Sequence, residues 1–120
     1  MSHIVQIQTE IRDPMVVAIA CDRLGLKAPV LCTVKLFTSE ATGLAVELPG
    51  WRYPVVCQTK TGELQYDNYG GRWGEQRELD RLVQIYAVEK TKIEARRRGY
   101  GVTEQLLKDG SIRIQIQTSI

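Results

Sequence analysis

The chain has 120 residues, 43% apolar and 25% charged, which is enough for one hydrophobic core and ordinary for a globular domain. Its 16 basic and 14 acidic side chains leave a net charge of +2, too balanced to argue by itself for a nucleic-acid or membrane partner. No run approaches the roughly 20 apolar residues of a membrane span, and the opening MSHIVQIQTE lacks the apolar core of a signal peptide.

Residues 4–11 alternate, with Val5, Ile7, Thr9 and Ile11 on one side and Gln6, Gln8 and Glu10 on the other. That alternation predicts a strand with one buried face. Asp13-Pro14 then supplies an N-cap and a proline at the first helical position, for a helix running to Gly25. After the break at Ala28-Pro29, VLCTVKLF (30–37) predicts a largely buried strand. Residues 43–48 predict another, with Leu44, Val46 and Leu48 on one face. Pro49-Gly50 turns the chain into an antiparallel partner at 53–59, and Lys60-Thr61-Gly62 turns it again into 63–66, completing a three-stranded meander. DNYGGRWG (67–74) is a loop whose glycines permit unusual backbone angles.

The longest run without proline or internal glycine follows, from Glu75 to Gly99. Leu79, Leu82, Val83, Tyr86 and Ile93 recur at helical spacing and predict one buried stripe. Acidic Glu75, Glu78 and Asp80 at its start and basic Arg96, Arg97 and Arg98 at its end complement the helix dipole. The chain closes with 102–107, an Asp109-Gly110 turn and 112–118, a hairpin in which Ile112, Ile114 and Ile116 form the buried side. A helix stripe of this length needs a sheet to cover it. The expected fold is therefore a single α+β domain over residues 1–120: a mainly antiparallel sheet with two helices packed on one face, close to the ferredoxin-like plan with extra strands and a C-terminal β-hairpin.

The opening MSHIVQIQTEIRD and the end QIYAVEKTKIEARRRGYGVTEQLLKDGSIRIQIQ resemble the hypothetical chloroplast reading frame thirty-five family, a domain of unknown function in cyanobacteria, plastids and other bacteria. The central TGLAVELPGWRYPVVC is a looser match, and the stretch between Gly62 and Gly74 looks particular to this branch. The resemblance implies no activity, cofactor or catalytic residue. Relatives encoded near AAA-type ATPases imply such an ATPase as a partner.

Residue chemistry narrows the function no further than a surface. His3 is the only histidine and has no marked companion for a nucleophile–base pair. Cys21, Cys32 and Cys57 lie 11 and 25 positions apart, fit no metal spacing, and read as reduced thiols in the cytoplasm, with Cys32 and Cys57 inside buried strands. Gly70-Gly71-Arg72-Trp73-Gly74 precedes a helix but lacks the lysine and hydroxyl of a phosphate loop. Trp51, Arg52, Tyr53, Tyr66, Asp67, Asn68, Tyr69, Arg72 and Trp73 concentrate aromatics and arginines at turns near one end of the meander, the residue types that dominate protein interfaces. The competing reading closes the core with the two tryptophans and leaves the arginines solvated.

The expected function is a non-enzymatic cytoplasmic adaptor or accessory subunit, without cofactor or metal, that binds a protein through that surface and can self-associate through a free strand edge. An alternative is a single-stranded nucleic-acid binder that stacks bases on the same aromatics and contacts phosphates through Arg96, Arg97 and Arg98. A small enzyme using Asp67 and Arg72 is a third reading.

Overall fold

The computed structural model describes residues 5–118. In order, the chain forms β1 (Val5–Gln8), α1 (Pro14–Arg23), β2 (Val30–Lys35), β3 (Glu40–Val46), β4 (Val55–Gln58), β5 (Glu63–Tyr66), a short 3-10 turn (Tyr69–Gly71), α2 (Gln76–Arg97), β6 (Gly101–Leu106) and β7 (Ile112–Gln117). Asp13 caps α1 by accepting a hydrogen bond from the Met15 N–H at 3.0 Å, with Pro14 at the first helical position. Gly25 and Gly99 follow the two helices in left-handed conformations, φ 72° and 78°, so both long helices end where the glycines require.

The first five strands make one sheet in the order β1-β5-β4-β3-β2, and β6 and β7 make a second. All pairings among the described residues are antiparallel. The architecture is α+β, and because β1 and β2 occupy opposite edges, the connection through α1 crosses the whole sheet. Strand β4 is the middle one and is buried on both faces. Val55 and Cys57 join Val46, Leu64 and Tyr66 beneath the helices, while Val56 joins Leu36 and Ala41 on the outer face. From α1 come Val16, Val17, Ala20 and Cys21, and from α2 Leu79, Leu82, Ile85 and Tyr86. Each of these larger side chains contributes about 1.5–3 kcal/mol by burial.

The structure revises several expectations. Residues 30–37 are not a largely buried strand: β2 is an edge, with Val30 58% and Leu31 78% exposed and Cys32 half-buried. A run of apolar residues cannot by itself distinguish a central strand from an unguarded edge. Strand β1 ends at Gln8, and Ile11 is buried from the connection that follows it; the side chains of Val5 and Ile7 lie outside the described residues, as does His3. On α2, Val83 and Ile93 are half-buried, while Ile85 and Val88 are buried. The terminal hairpin does not extend the main sheet. It leans on α2 as its own ribbon, leaving Ile112 and Ile114 half-buried and Ile116 exposed. That projection lengthens the molecule to 55 × 31 × 23 Å.

Two polar devices lock the layers. The Tyr86 hydroxyl accepts hydrogen bonds from the Arg12 and Asp13 N–H groups at 3.1 and 3.0 Å, tying α2 to the entry of α1. Further along α2, Arg23 and Lys92 alternate with Glu89 and Glu104. Arg23 reaches Glu104 at 2.6 Å and Glu89 at 3.2 Å, and Lys92 reaches the same carboxylates at 3.2 and 3.5 Å. This square joins α1, α2 and β6. The Arg23 hydrogen bond, opposed by burial and helped by Lys92, holds the Glu104 carboxyl below its ordinary value of 4.5.

Tyr86→Phe leaves two main-chain donors without their acceptor and should lower unfolding stability by about 1–3 kcal/mol in urea melts. A smaller loss would mean that water replaces the hydroxyl. For Glu104 the folded value lies below the unfolded one, so its stabilisation is complete above the ordinary glutamate range and is lost as pH falls through the folded value. Glu104→Gln should therefore cost about 1–2 kcal/mol near pH 7 and much less near pH 3, checked by urea melts at both.

Candidate functional site

The stretch after β5 builds a compact turn on a buried base. Asp67 and Asn68 are 1% and 6% exposed. Asp67 accepts the Tyr69 N–H at 3.2 Å, and the Asn68 side chain donates to the Gly74 carbonyl at 3.3 Å. The Asn68 carbonyl accepts from the Gly71 and Trp73 amides. Tyr69, Gly70 and Gly71 all have positive φ, at 50°, 61° and 100°. For glycine this conformation is easy, whereas for Tyr69 it costs on the order of 1 kcal/mol. Asp67 Oδ1 and the tilted contact of Tyr69 with Trp73, ring centroids 4.7 Å apart, hold Tyr69 in place, while Asp67 Oδ2 is buried without a hydrogen-bond partner among the described residues.

The two tryptophans, Trp51 after β3 and Trp73 in this turn, lie on opposite sides of the sheet. Trp51 packs against the helix-side core, meets Tyr66 edge-on at 5.6 Å and donates its Nε1–H to the Glu75 carbonyl at 3.0 Å. Its indole lies so close to Gly74 that a Cβ there would overlap the ring. Trp51 therefore fixes the start of α2. Trp73 instead lies among Tyr69, Phe37 and Tyr53, with ring centroids at 4.7, 5.2 and 5.7 Å. Tyr53 packs on the outer-face cluster of Leu36, Ala41 and Val56. The Arg52 guanidinium lies 4.8 Å from the Trp73 ring centre, and Arg72 lies 5.4 Å from that of Tyr69. The Arg52 amide also donates to the Trp73 carbonyl at 2.8 Å, which closes the loop back on the chain after Trp51.

The predicted set thus divides. Trp51, Tyr66, Asp67 and Asn68 are structural, buried or half-buried beneath the turn. Exposed Arg52 and Arg72 cluster with half-buried Tyr69, Trp73 and Tyr53. Phe37, 54% exposed at the β2–β3 turn, was not anticipated as a member. Its only local signal is an aromatic beside the polar turn at Thr38-Ser39. Arg96, Arg97 and Arg98 do not join the cluster. They sit at the far end of α2, whose 22 residues span roughly 33 Å from the Trp73 turn, and Arg97 is paired with Glu94 at 3.1 Å.

Chemically, the cluster sets two guanidinium groups against aromatic rings. Among the described residues, neither Arg52 nor Arg72 has a carboxylate within ion-pairing distance. A guanidinium over an aromatic ring is held by the ring's quadrupole, and its N–H groups can form bidentate bonds to an acidic group. The Asp67 carboxyl, enclosed under the turn, offers no face to a substrate. Burial pushes the Cys57 thiol up to about 12, with neighbouring Cys21 adding to the effect, and burial raises Cys21 too, so neither is an activated nucleophile. An open depression of about 660 Å³ between the β1–α1 connection and α2 contains none of the predicted residues, and its Lys90 is paired with Asp13 and Glu94. No group of three or more potential metal ligands occurs among the described residues, and no described helix is long and apolar enough to cross a membrane. No family model matches the chain, and no curated protein or solved structure shows significant similarity to it.

The two tryptophans should separate in thermal melts. Trp51→Ala, which opens the core beneath α2, should lower stability by about 3 kcal/mol or more, and Trp73→Ala by about half that or less. Equal losses would place Trp73 in the load of the core as firmly as Trp51.

Proposed function

We propose that the chain is a non-enzymatic cytoplasmic adaptor or accessory module that binds an acidic segment of a protein partner through Trp73, Tyr69, Phe37, Arg52 and Arg72. The observation that carries this reading is the pair of exposed guanidinium groups over aromatic rings, without carboxylate partners among the described residues, beside exposed Phe37 and half-buried Tyr69 and Trp73. Aromatic and arginine side chains in such clusters supply most of the energy of protein interfaces, because they bury large area with few rotatable bonds to immobilise. Three unpaired cysteines support a reducing compartment. The family resemblance makes an AAA-type ATPase the first partner to test.

The nucleic-acid reading draws less support, since its phosphate-binding arginines lie a helix length from its stacking rings. The discriminating experiment is a pull-down from native lysate with the wild type beside Arg52→Glu/Arg72→Glu, each with and without nuclease. A protein retained by the wild type, lost with the variant and unaffected by nuclease is the expected result. Retention that survives the charge reversal, or that disappears with nuclease, would overturn the reading.

A further inference from the structure

The edge formed by β2 lacks the features that normally keep a sheet edge from pairing with another chain. Edge strands are usually short, charged or interrupted. The opposite edge, β1, follows the rule with four residues, whereas β2 runs for six as VLCTVK, and its only charge is terminal Lys35. Val30 and Leu31 are among the most exposed large apolar side chains described.

The register shows which main-chain groups are open. The Leu36 N–H donates to the Ser39 carbonyl at 2.7 Å, so Leu36 faces β3, and by alternation so do Val34, Cys32 and Val30. Thr33 and Thr42 form a non-hydrogen-bonded pair whose hydroxyls meet at 2.7 Å, and the Thr42 carbonyl accepts from Gln58 on the other side, which fits the same phase. The N–H and C=O groups of Leu31, Thr33 and Lys35 therefore point off the sheet.

We propose that β2 pairs antiparallel with β2 of a second copy, about a two-fold axis through Cys32. In this register Leu31 and Thr33 exchange main-chain hydrogen bonds with the partner's Thr33 and the partner's Leu31. Val30 faces the partner's Val34, and Cys32 faces the partner's Cys32. Residues directly opposite each other must lie on the same face, which allows only every second register. A shift one step in the C-terminal direction sets Lys35 against Leu31 and separates the two Leu31 side chains. A shift the other way sets Pro29, which has no N–H to give, opposite Thr33 inside the ladder. The register centred on Cys32 meets Pro29 only at the ladder's end, opposite Lys35, places apolar side chains opposite apolar ones on the outer face, and brings the exposed Leu31 side chains diagonally together. The resulting sheet is continuous across both copies, and because the axis is normal to it, both Trp73 clusters face the same side. Self-pairing does not depend on what those clusters bind. A strand pair of this length buries little area, so the dimer is a micromolar, concentration-dependent one.

Cys32 provides the test. Opposed residues of a non-hydrogen-bonded pair have Cα atoms about 4.5 Å apart, within disulfide range. Cys21 and Cys57, 0% and 1% exposed, cannot compete. Sedimentation should show a monomer–dimer equilibrium from low micromolar to submillimolar concentration. Diamide, which takes two electrons and two protons from two thiols, should give a covalent dimer absent in Cys32→Ser. Leu31→Lys changes a side chain that is already solvent-exposed and should weaken association about tenfold or more, with an unchanged melting temperature in dilute solution. Thr33→Pro, which removes an outward N–H, should weaken association likewise, with a small loss of melting temperature from the broken Thr33–Thr42 hydroxyl contact. A monomer throughout that range would overturn the proposal. So would a dimer indifferent to both variants, or one that does not cross-link through Cys32.

Discussion

The whole arrangement depends on covering the apolar stripe of α2. A helix of 22 residues with Leu79, Leu82, Ile85 and Tyr86 along one side is unstable in water unless that side is buried. The sheet supplies the cover, with β4 at its middle, where Val55 and Cys57 are buried toward the helices and Val56 on the outer face. Helix α1 is too short to shield the sheet alone. It fills the space beside α2 and brings the chain from one edge strand to the other.

Once α2 is seated, polar contacts set its position along the sheet. Trp51 holds the first turn through the Glu75 carbonyl, Tyr86 gathers the amides ahead of α1, and the square of Arg23, Glu89, Lys92 and Glu104 ties in the terminal hairpin. In the square Glu89 is buried while Arg23, Lys92 and Glu104 are partly shielded, so each charge is paired where desolvation would otherwise cost most. The hairpin needs the square more than the core does, because its own apolar side is only half covered.

The aromatic turn lies at the end of β5, where the chain must leave the sheet and climb to α2. Gly70 and Gly71 make that climb tight, and Asp67 and Asn68 bury its polar base. The side chains left over, Tyr69, Arg72 and Trp73, are pushed to the outer face. There they meet Arg52, Tyr53 and Phe37 arriving from two other turns. An aromatic cluster thus forms at the place where the packing of the helix layer ends, and its rings are oriented by one another.

The sequence by itself determined the α+β class, both helices with the N-cap of α1 and the glycine stops of both, the three meander strands to within a few residues, and the hairpin at Asp109-Gly110. Each rests on local chemistry: a proline and an aspartate at a helix start, a glycine at its end, and a period of two or of 3.6 in the apolar residues. It also marked the aromatic and arginine residues of the site, since those types are recognisable without neighbours. Only the tertiary structure decided which of them work together. Trp51 and Trp73 look alike in sequence, yet one is set under α2 and the other on the outer face, because the side of the sheet a turn residue reaches depends on strand register and not on composition. Phe37 joined from a distant turn for the same reason. The position of β2 at an edge, and the isolation of the hairpin as a second sheet, likewise follow from strand order, which is set by contacts between residues far apart in the chain.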